Sequence, residues 1–201
     1  LLDRPIDQVA DSLLFEPAGL SRLTYNPLCR YRQSDIAPTE LDKDFRHVLV
    51  WGTVHDQIAA MTGGVGGHAG LFGNATDLAK LMMMNLQGGH YGGHQFITEE
   101  TLKIFSSSQY KKNRRGLGWD KPERREDLNP VSRYASEESY GHRGFTGTIV
   151  WADPTFNLIF VFLSNRIYPD SDNSKLVEFN IRKRIHDVVY ESMWNFEKFY
   201  H

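Results

Sequence analysis

At 201 residues, 40% hydrophobic and 24% charged with a formal net charge of −2, the chain has ordinary globular composition, enough for one domain or one large piece of a domain. That charge balance leaves no basic footprint for a nucleic acid, and no apolar run approaches the ~20 residues of a membrane span. The single cysteine, Cys29, excludes an intramolecular disulfide and leaves the redox compartment open.

The chain opens on Leu1-Leu2-Asp3 without a methionine, as expected of a fragment whose N-terminus lies upstream. Ile6, Val9, Ala10, Leu13 and Leu14 fall at helical spacing, with Asp3 as cap and Pro5 in the first turn. Residues 25–60 read as loop-rich, with Pro27 and Pro38 among scattered charges. Residues 63–71, GGVGGHAGL, admit three readings. A nucleotide loop is excluded, because neither the spaced glycine fingerprint before a helix nor a Gly-Lys-Ser/Thr is present. A metal site would use His55, Asp56 and His68, which are admissible ligand types at no recognised spacing. The third reading is a close-packed glycine loop that feeds a helix. That helix is well marked: Asn74 caps it, Asp77 complements its dipole and Gly88-Gly89 end it. Leu78, Leu81, Met82 and Leu86 form one face, and the Met82-Met83-Met84 run reads as core filler.

A second helix is predicted over 98–105. Ser108-Gln109-Tyr110-Lys111 has the form Ser-x-x-Lys, a spacing that places a lysine one helical turn from a nucleophilic serine. Its surroundings, Ser106-Ser107 before and Lys112-Asn113-Arg114-Arg115 after, offer no apolar face to hold either side chain, so it reads as a decoy. Residues 116–119 read as a short strand. The polar stretch 120–139 is a loop, either one rim of a cleft or a solvated connector.

Residues 140–165, YGHRGFTGTIVWADPTFNLIFVFLSN, carry the strongest signal. Two apolar runs around Asp153-Pro154 predict antiparallel strands over 148–152 and 158–164. The second run does not alternate, so both of its faces, Leu158, Phe160 and Phe162 on one and Ile159, Val161 and Leu163 on the other, are expected to be buried. Glycines at 141, 144 and 147 allow another backbone or a ligand to approach closely, and His142 presents a group suited to proton transfer near neutrality. A last helix over 173–192, capped by Asp172 or Asn173, carries a broad apolar stripe suited to covering one sheet face. Its basic run, Arg182-Lys183-Arg184, reads as a solvated face.

His142-Arg143-Gly144, then Phe145, then Thr146-Gly147, on a hairpin strand that leads to Ser164-Asn165-Arg166, resembles the third motif of the β-lactamase-related serine hydrolases. These include class C β-lactamases, D-alanyl-D-alanine carboxypeptidases and related esterases. Phe15-Glu16-Pro17-Ala18-Gly19-Leu20 is similar to a family turn, and residues 63–72 are highly similar to a subgroup that includes proteins fused to family 3 glycosidases. Arg166-Ile167-Tyr168-Pro169 is similar to the family's close of the hairpin. The resemblance implies an α/β (α+β) fold, an antiparallel sheet flanked by helices, of which residues 1–201 are the C-terminal part of one domain. Within it, 1–115 is mostly helical and loop region, and 116–201 holds the sheet strands and the C-terminal helix.

The resemblance further implies acyl transfer by a serine on an amide or ester, without cofactor or resident metal. The nucleophile motif Ser-x-x-Lys and the Tyr-x-Asn motif are expected upstream of Leu1, so the chain alone is expected to be inactive. His142 takes the place of the third-motif lysine, and the Phe145 N–H supplies one oxyanion donor. Gly144 permits close substrate approach along the strand, Thr146 is placed to hydrogen-bond the substrate, and Arg143 is assigned contact with an anionic group. The implied partners are a cell-wall peptide, muropeptide or β-lactam-like substrate and the missing N-terminal part of the domain, in an extracytoplasmic bacterial compartment. Two other classes stay open: a non-catalytic peptide-binding module of the same fold, and a metal-dependent hydrolase built on His55, Asp56 and His68.

Overall fold

The computed structural model describes residues 3–123, 125 and 128–200, with side chains to residue 194. In chain order the helices are α1 (Ile6–Ala10), α2 (Gln57–Met61), α3 (Ala75–Leu86), α4 (Glu99–Ser106), α5 (Lys175–Glu178) and α6 (Ile181–Tyr200). The strands are β1 (Thr24–Tyr25), β2 (Pro38–Asp42), β3 (Val48–Trp51), β4 (Leu71–Phe72), β5 (His90–Tyr91), β6 (His94–Gln95), β7 (Tyr140–Arg143), β8 (Ile149–Asp153) and β9 (Leu158–Phe162). The organising element is the antiparallel sheet β7-β8-β9; β1-β4, β2-β3 and β5-β6 are separate antiparallel pairs.

Alternation along the strands sends side chains to two faces. On one, Ile149, Trp151 and Phe160 join Val131 in a buried cluster that Val189 of α6 covers, and the Phe160 ring stacks on His186 at 4.1 Å. On the other, Ala152 and Tyr140 pack with Met82 of α3, flanked by Val150, Ile159 and Leu86. The sheet is therefore a middle layer between two helices, as the unbroken apolar run 158–163 predicts. Burial along that run is less complete than expected. Only Phe160 is fully buried, the other β9 residues are half-buried, and Leu163 is 39% exposed because it lies past the last ladder pair, Ile149 with Phe162.

The loop 63–70 packs closely, as its glycines suggest. Asn26 donates to the Gly63 carbonyl at 3.0 Å and Tyr25 to that of Gly66 at 3.3 Å, and β1 then pairs with β4 beyond the loop. α3 starts where predicted, with the Asn74 side chain accepting from the Asp77 N–H at 2.8 Å, and ends at Gly88 and Gly89, both with positive φ. α4 is capped by Thr98.

Four expectations need correction. Asp3 does not cap the first helix: α1 starts after Pro5 without a side-chain cap and continues as one π-turn, Asp11–Phe15, that seats Phe15 in the core with Leu20 and Leu23. Residues 116–119 form no strand. Gly118 turns the chain at φ +77, and the ladder contact comes one residue later, from Asp120 to Gly141. The last helix is two, because Asn180 adopts a left-handed φ of +50 and interrupts the hydrogen bonding between α5 and α6; the α5 N-cap is Ser174, not Asp172 or Asn173. Loop 120–139 is not a solvated connector. Ser132 donates to Asp187 at 2.6 Å, Tyr134 to Glu191 at 3.1 Å, and Val131 is fully buried against the sheet.

Candidate active site

The hairpin turn between β7 and β8 carries His142, Arg143, Gly144, Phe145 and Thr146. The ladder pairs His142 with Val150 and Arg143 with Ile149. His142 thus faces the α3 side and Arg143 the α6 side, so these neighbours do not converge on one substrate group from the strand. His142 is exposed, and its imidazole makes no hydrogen bond to a described residue. At Gly141 a Cβ would run into the Val150 carbonyl of β8, and at Gly147, with φ +105, into the Ser164 hydroxyl. The close approaches these two glycines permit are thus the protein's own.

Residues 144–148 show a one-sided hydrogen-bond pattern. The Gly144 carbonyl accepts from the Gly147 N–H at 3.1 Å and the Thr146 carbonyl from the Arg166 N–H at 2.9 Å. The Phe145 carbonyl accepts from Arg166 Nε at 3.0 Å, and those of Gly147 and Thr148 accept from Arg182 Nη1 at 3.1 and 3.2 Å. Thr148 also accepts from the Gly144 N–H at 2.9 Å. All five carbonyls are engaged, whereas the N–H groups of Phe145 and Thr146 have no acceptor among the described residues. A turn with its carbonyls tied down and two successive N–H groups free presents positive potential to a ligand. The Arg166 guanidinium, 4.9 Å from the Phe145 ring centroid, adds a full charge.

Sequence reading missed the groups that build this pattern. Arg182 belonged to a run read as solvated, yet from α6 it reaches the turn's backbone. Arg166 was visible only as the residue after Ser164-Asn165. His55 has a different setting from a metal ligand: its ring stacks on Phe145 at 5.4 Å and 14°, and its Nε2 lies 2.5 Å from Glu40 Oε2. His68 pairs instead with Asp56, which also caps α2, and no group of three ligand-type side chains gathers among the described residues. The His55, Asp56 and His68 set is therefore split between two separate pairs. Ser108 and Lys111 sit exposed after α4, not on a helix, and the Ser108 hydroxyl donates to the Arg114 carbonyl at 3.2 Å. This geometry gives the Ser108 hydroxyl no base.

Two solved structures share the architecture: a penicillin-binding protein homologue from Caulobacter crescentus (TM-score 0.52, 18% identical, covering 81% of this chain and 47% of that one) and a β-lactamase from Mycobacterium bovis (TM-score 0.53, 15% identical, covering 86% of this chain and 56% of that one). At these identities the likeness speaks to the fold alone. In sequence, the chain is 36% identical over 185 residues to a protein of Escherichia coli K12 named "Putative D-alanyl-D-alanine carboxypeptidase". It is 33% identical over 184 residues to one of the same name from Salmonella paratyphi B. Each alignment covers 86% of this chain and 43% of the relative, so the chain spans less than half the length of these proteins. With residues 1–180 matching the family model described as Beta-lactamase, on a sheet and helix arrangement shared with solved members of that fold, the chain belongs to the β-lactamase family.

Proposed function

We propose that this chain supplies the third-motif side of a serine acyl-transfer site, as the C-terminal part of one domain whose nucleophile lies on the polypeptide preceding Leu1. The observation that carries this reading is the turn 144–148, with five carbonyls engaged and the Phe145 N–H free. In the reaction, a serine hydroxyl loses its proton to a neighbouring base and attacks the substrate carbonyl. The carbonyl oxygen takes up negative charge, the bond to the leaving amine or alcohol breaks as that group is protonated, and water then hydrolyses the acyl-enzyme. The Phe145 N–H donates to the oxyanion, together with the nucleophile's own N–H, an interaction commonly worth about 3 kcal/mol per donor. His142 takes the lysine's place in the proton network. Gly144 and Thr146 line the substrate strand, and Arg143, on the opposite face, is left to contact an anionic group at the strand end.

The proposed substrate class is an amide or ester of a cell-wall peptide or muropeptide, supported by the name borne by the relatives at 33–36% identity. That class implies an extracytoplasmic site of action; among the described residues no helix is long and apolar enough to cross a membrane. The N-terminal part of the domain is the proposed partner of the outer edge of β9, which pairs with no described strand.

Covalent labelling tests this reading. The chain alone is expected to show no mass increase with benzylpenicillin or a fluorophosphonate, whereas the protein extended on its N-terminal side is expected to be labelled once, at a serine before Leu1. Stoichiometric labelling of Ser108, or an extended protein that takes no label from either probe, would overturn it.

A further inference from the structure

Phe145 carries the free N–H, and the residue is 63% exposed, so the sheet alone does little to fix its side chain. Besides Arg166, what holds the ring comes from a distant part of the sequence. The His55 imidazole stacks on it with near-parallel planes, and Glu40 on β2 holds the imidazole by its Nε2. Both partners are mostly shielded, at 25% and 15% side-chain exposure. The pair is itself anchored. Arg46 donates to the His55 carbonyl at 2.9 Å, and the Leu41 N–H donates to the Pro169 carbonyl at 2.9 Å, which docks β2 on the segment that follows Arg166. Burial raises the Glu40 carboxyl pKa, but hydrogen bonds from His55 and Ser171 outweigh it and hold the group below the usual carboxylate range. The acceptor that fixes His55 is thus kept ionised.

We propose that His55 and Glu40 are positioning residues for the oxyanion donor. They lock the Phe145 ring and, through it, the backbone torsion that aims the Phe145 N–H. This rests on the reading of Phe145 above. The peptide that carries the donor is held at its Gly144 carbonyl by the Gly147 N–H, and Arg166 bonds the Phe145 carbonyl and lies over one part of the ring; the His55 stack adds the restraint that ties this side chain to β2. An oxyanion donor works because it is already aligned when charge develops; a donor free to swing loses that advantage without any change in ground-state binding.

The test is a double-mutant cycle in the N-terminally extended protein, measuring acylation by benzylpenicillin and turnover of p-nitrophenyl acetate. His55→Ala is expected to lower kcat about 10-fold with KM changed less than about 3-fold, as a partly disordered donor should. His55→Phe, which restores an aromatic face but not the bond to Glu40, is expected to recover part of that loss, the remainder being what Glu40 contributes. In a Phe145→Ala background the ring is gone, so adding His55→Ala is expected to cost little more. Losses that multiply in the double variant, or a His55→Phe variant as slow as His55→Ala, would overturn the proposal while leaving the acyl-transfer reading intact. Absence of any acylation in the unmodified protein would remove both. If His55→Ala fails to fold, Glu40→Gln carries the test. It must lower kcat more than KM in the native background and lose that effect in Phe145→Ala, and the opposite result counts against the proposal.

Discussion

Replacement of His142 by alanine is expected to lower kcat/KM of the nucleophile-bearing protein by roughly 10²-fold or more, the range for loss of a positioned acid–base group. Two roles for the imidazole predict opposite pH dependence. If the imidazolium binds a substrate anion, kcat/KM falls toward high pH; if neutral imidazole relays a proton, it falls toward low pH. The relay is the expected result, because the turn already has its cation. Arg166 bonds the Phe145 carbonyl and lies over its ring, whereas Arg143, the sequence neighbour, faces the other side of the strand. A His142→Lys variant separates the two roles. A charge role survives the exchange with its alkaline limb moved upward, whereas a relay role is largely lost. An alanine variant with unchanged kcat/KM at every pH would take His142 out of the site.

Replacement of Asp153 by alanine is expected to destabilise the fold by about 3 kcal/mol, since it strands the buried Tyr190 hydroxyl and breaks three partly buried hydrogen bonds at once. Asp153 is 1% exposed and accepts from the Ser136 N–H at 2.8 Å, the Ser136 hydroxyl at 2.7 Å, the Thr155 N–H at 3.1 Å and the Tyr190 hydroxyl at 2.6 Å. Burial, then the Asp153 carboxylate, raises the Tyr190 pKa and keeps its hydroxyl protonated as a donor. The cluster ties α6 and loop 120–139 to the end of β8, and α6 in turn brings Arg182 to the turn. Asp153→Asn, which keeps the shape and one acceptor oxygen, is expected to cost less than half as much. Urea denaturation followed by circular dichroism measures both, and a loss under 1 kcal/mol for the alanine variant would contradict this account of the cluster.

What was legible in the sequence was local. The runs 148–151 and 158–163 with Asp153-Pro154 between them define a hairpin because strand propensity and turn chemistry agree there. Asn74 and Gly88-Gly89 bound α3 because a cap and a left-handed stop act within one turn. The strand and turn that carry residues 142–147 were legible because their order and spacing lie within six positions. What stayed hidden depends on contacts between distant segments. Arg182 looks solvated until α6 is laid across the sheet, and His55 looks like a free ligand until Glu40 and Phe145 flank it. The pairing of β1 with β4 spans a glycine loop that carries no strand pattern. Asn180 reads as an ordinary helical position, because nothing in its neighbourhood specifies a positive φ. Leu163 belongs to an apolar run whose last residue outlasts the ladder.

The central claim, that the turn after β7 receives the oxyanion, is tested most directly by a crystal structure of the N-terminally extended protein acylated by benzylpenicillin. The account predicts the acyl carbonyl oxygen about 2.7–3.1 Å from the Phe145 nitrogen, with His142 on the same side of the strand as the modified serine. An acyl carbonyl pointing away from Phe145, with its oxygen held by other donors, would contradict it.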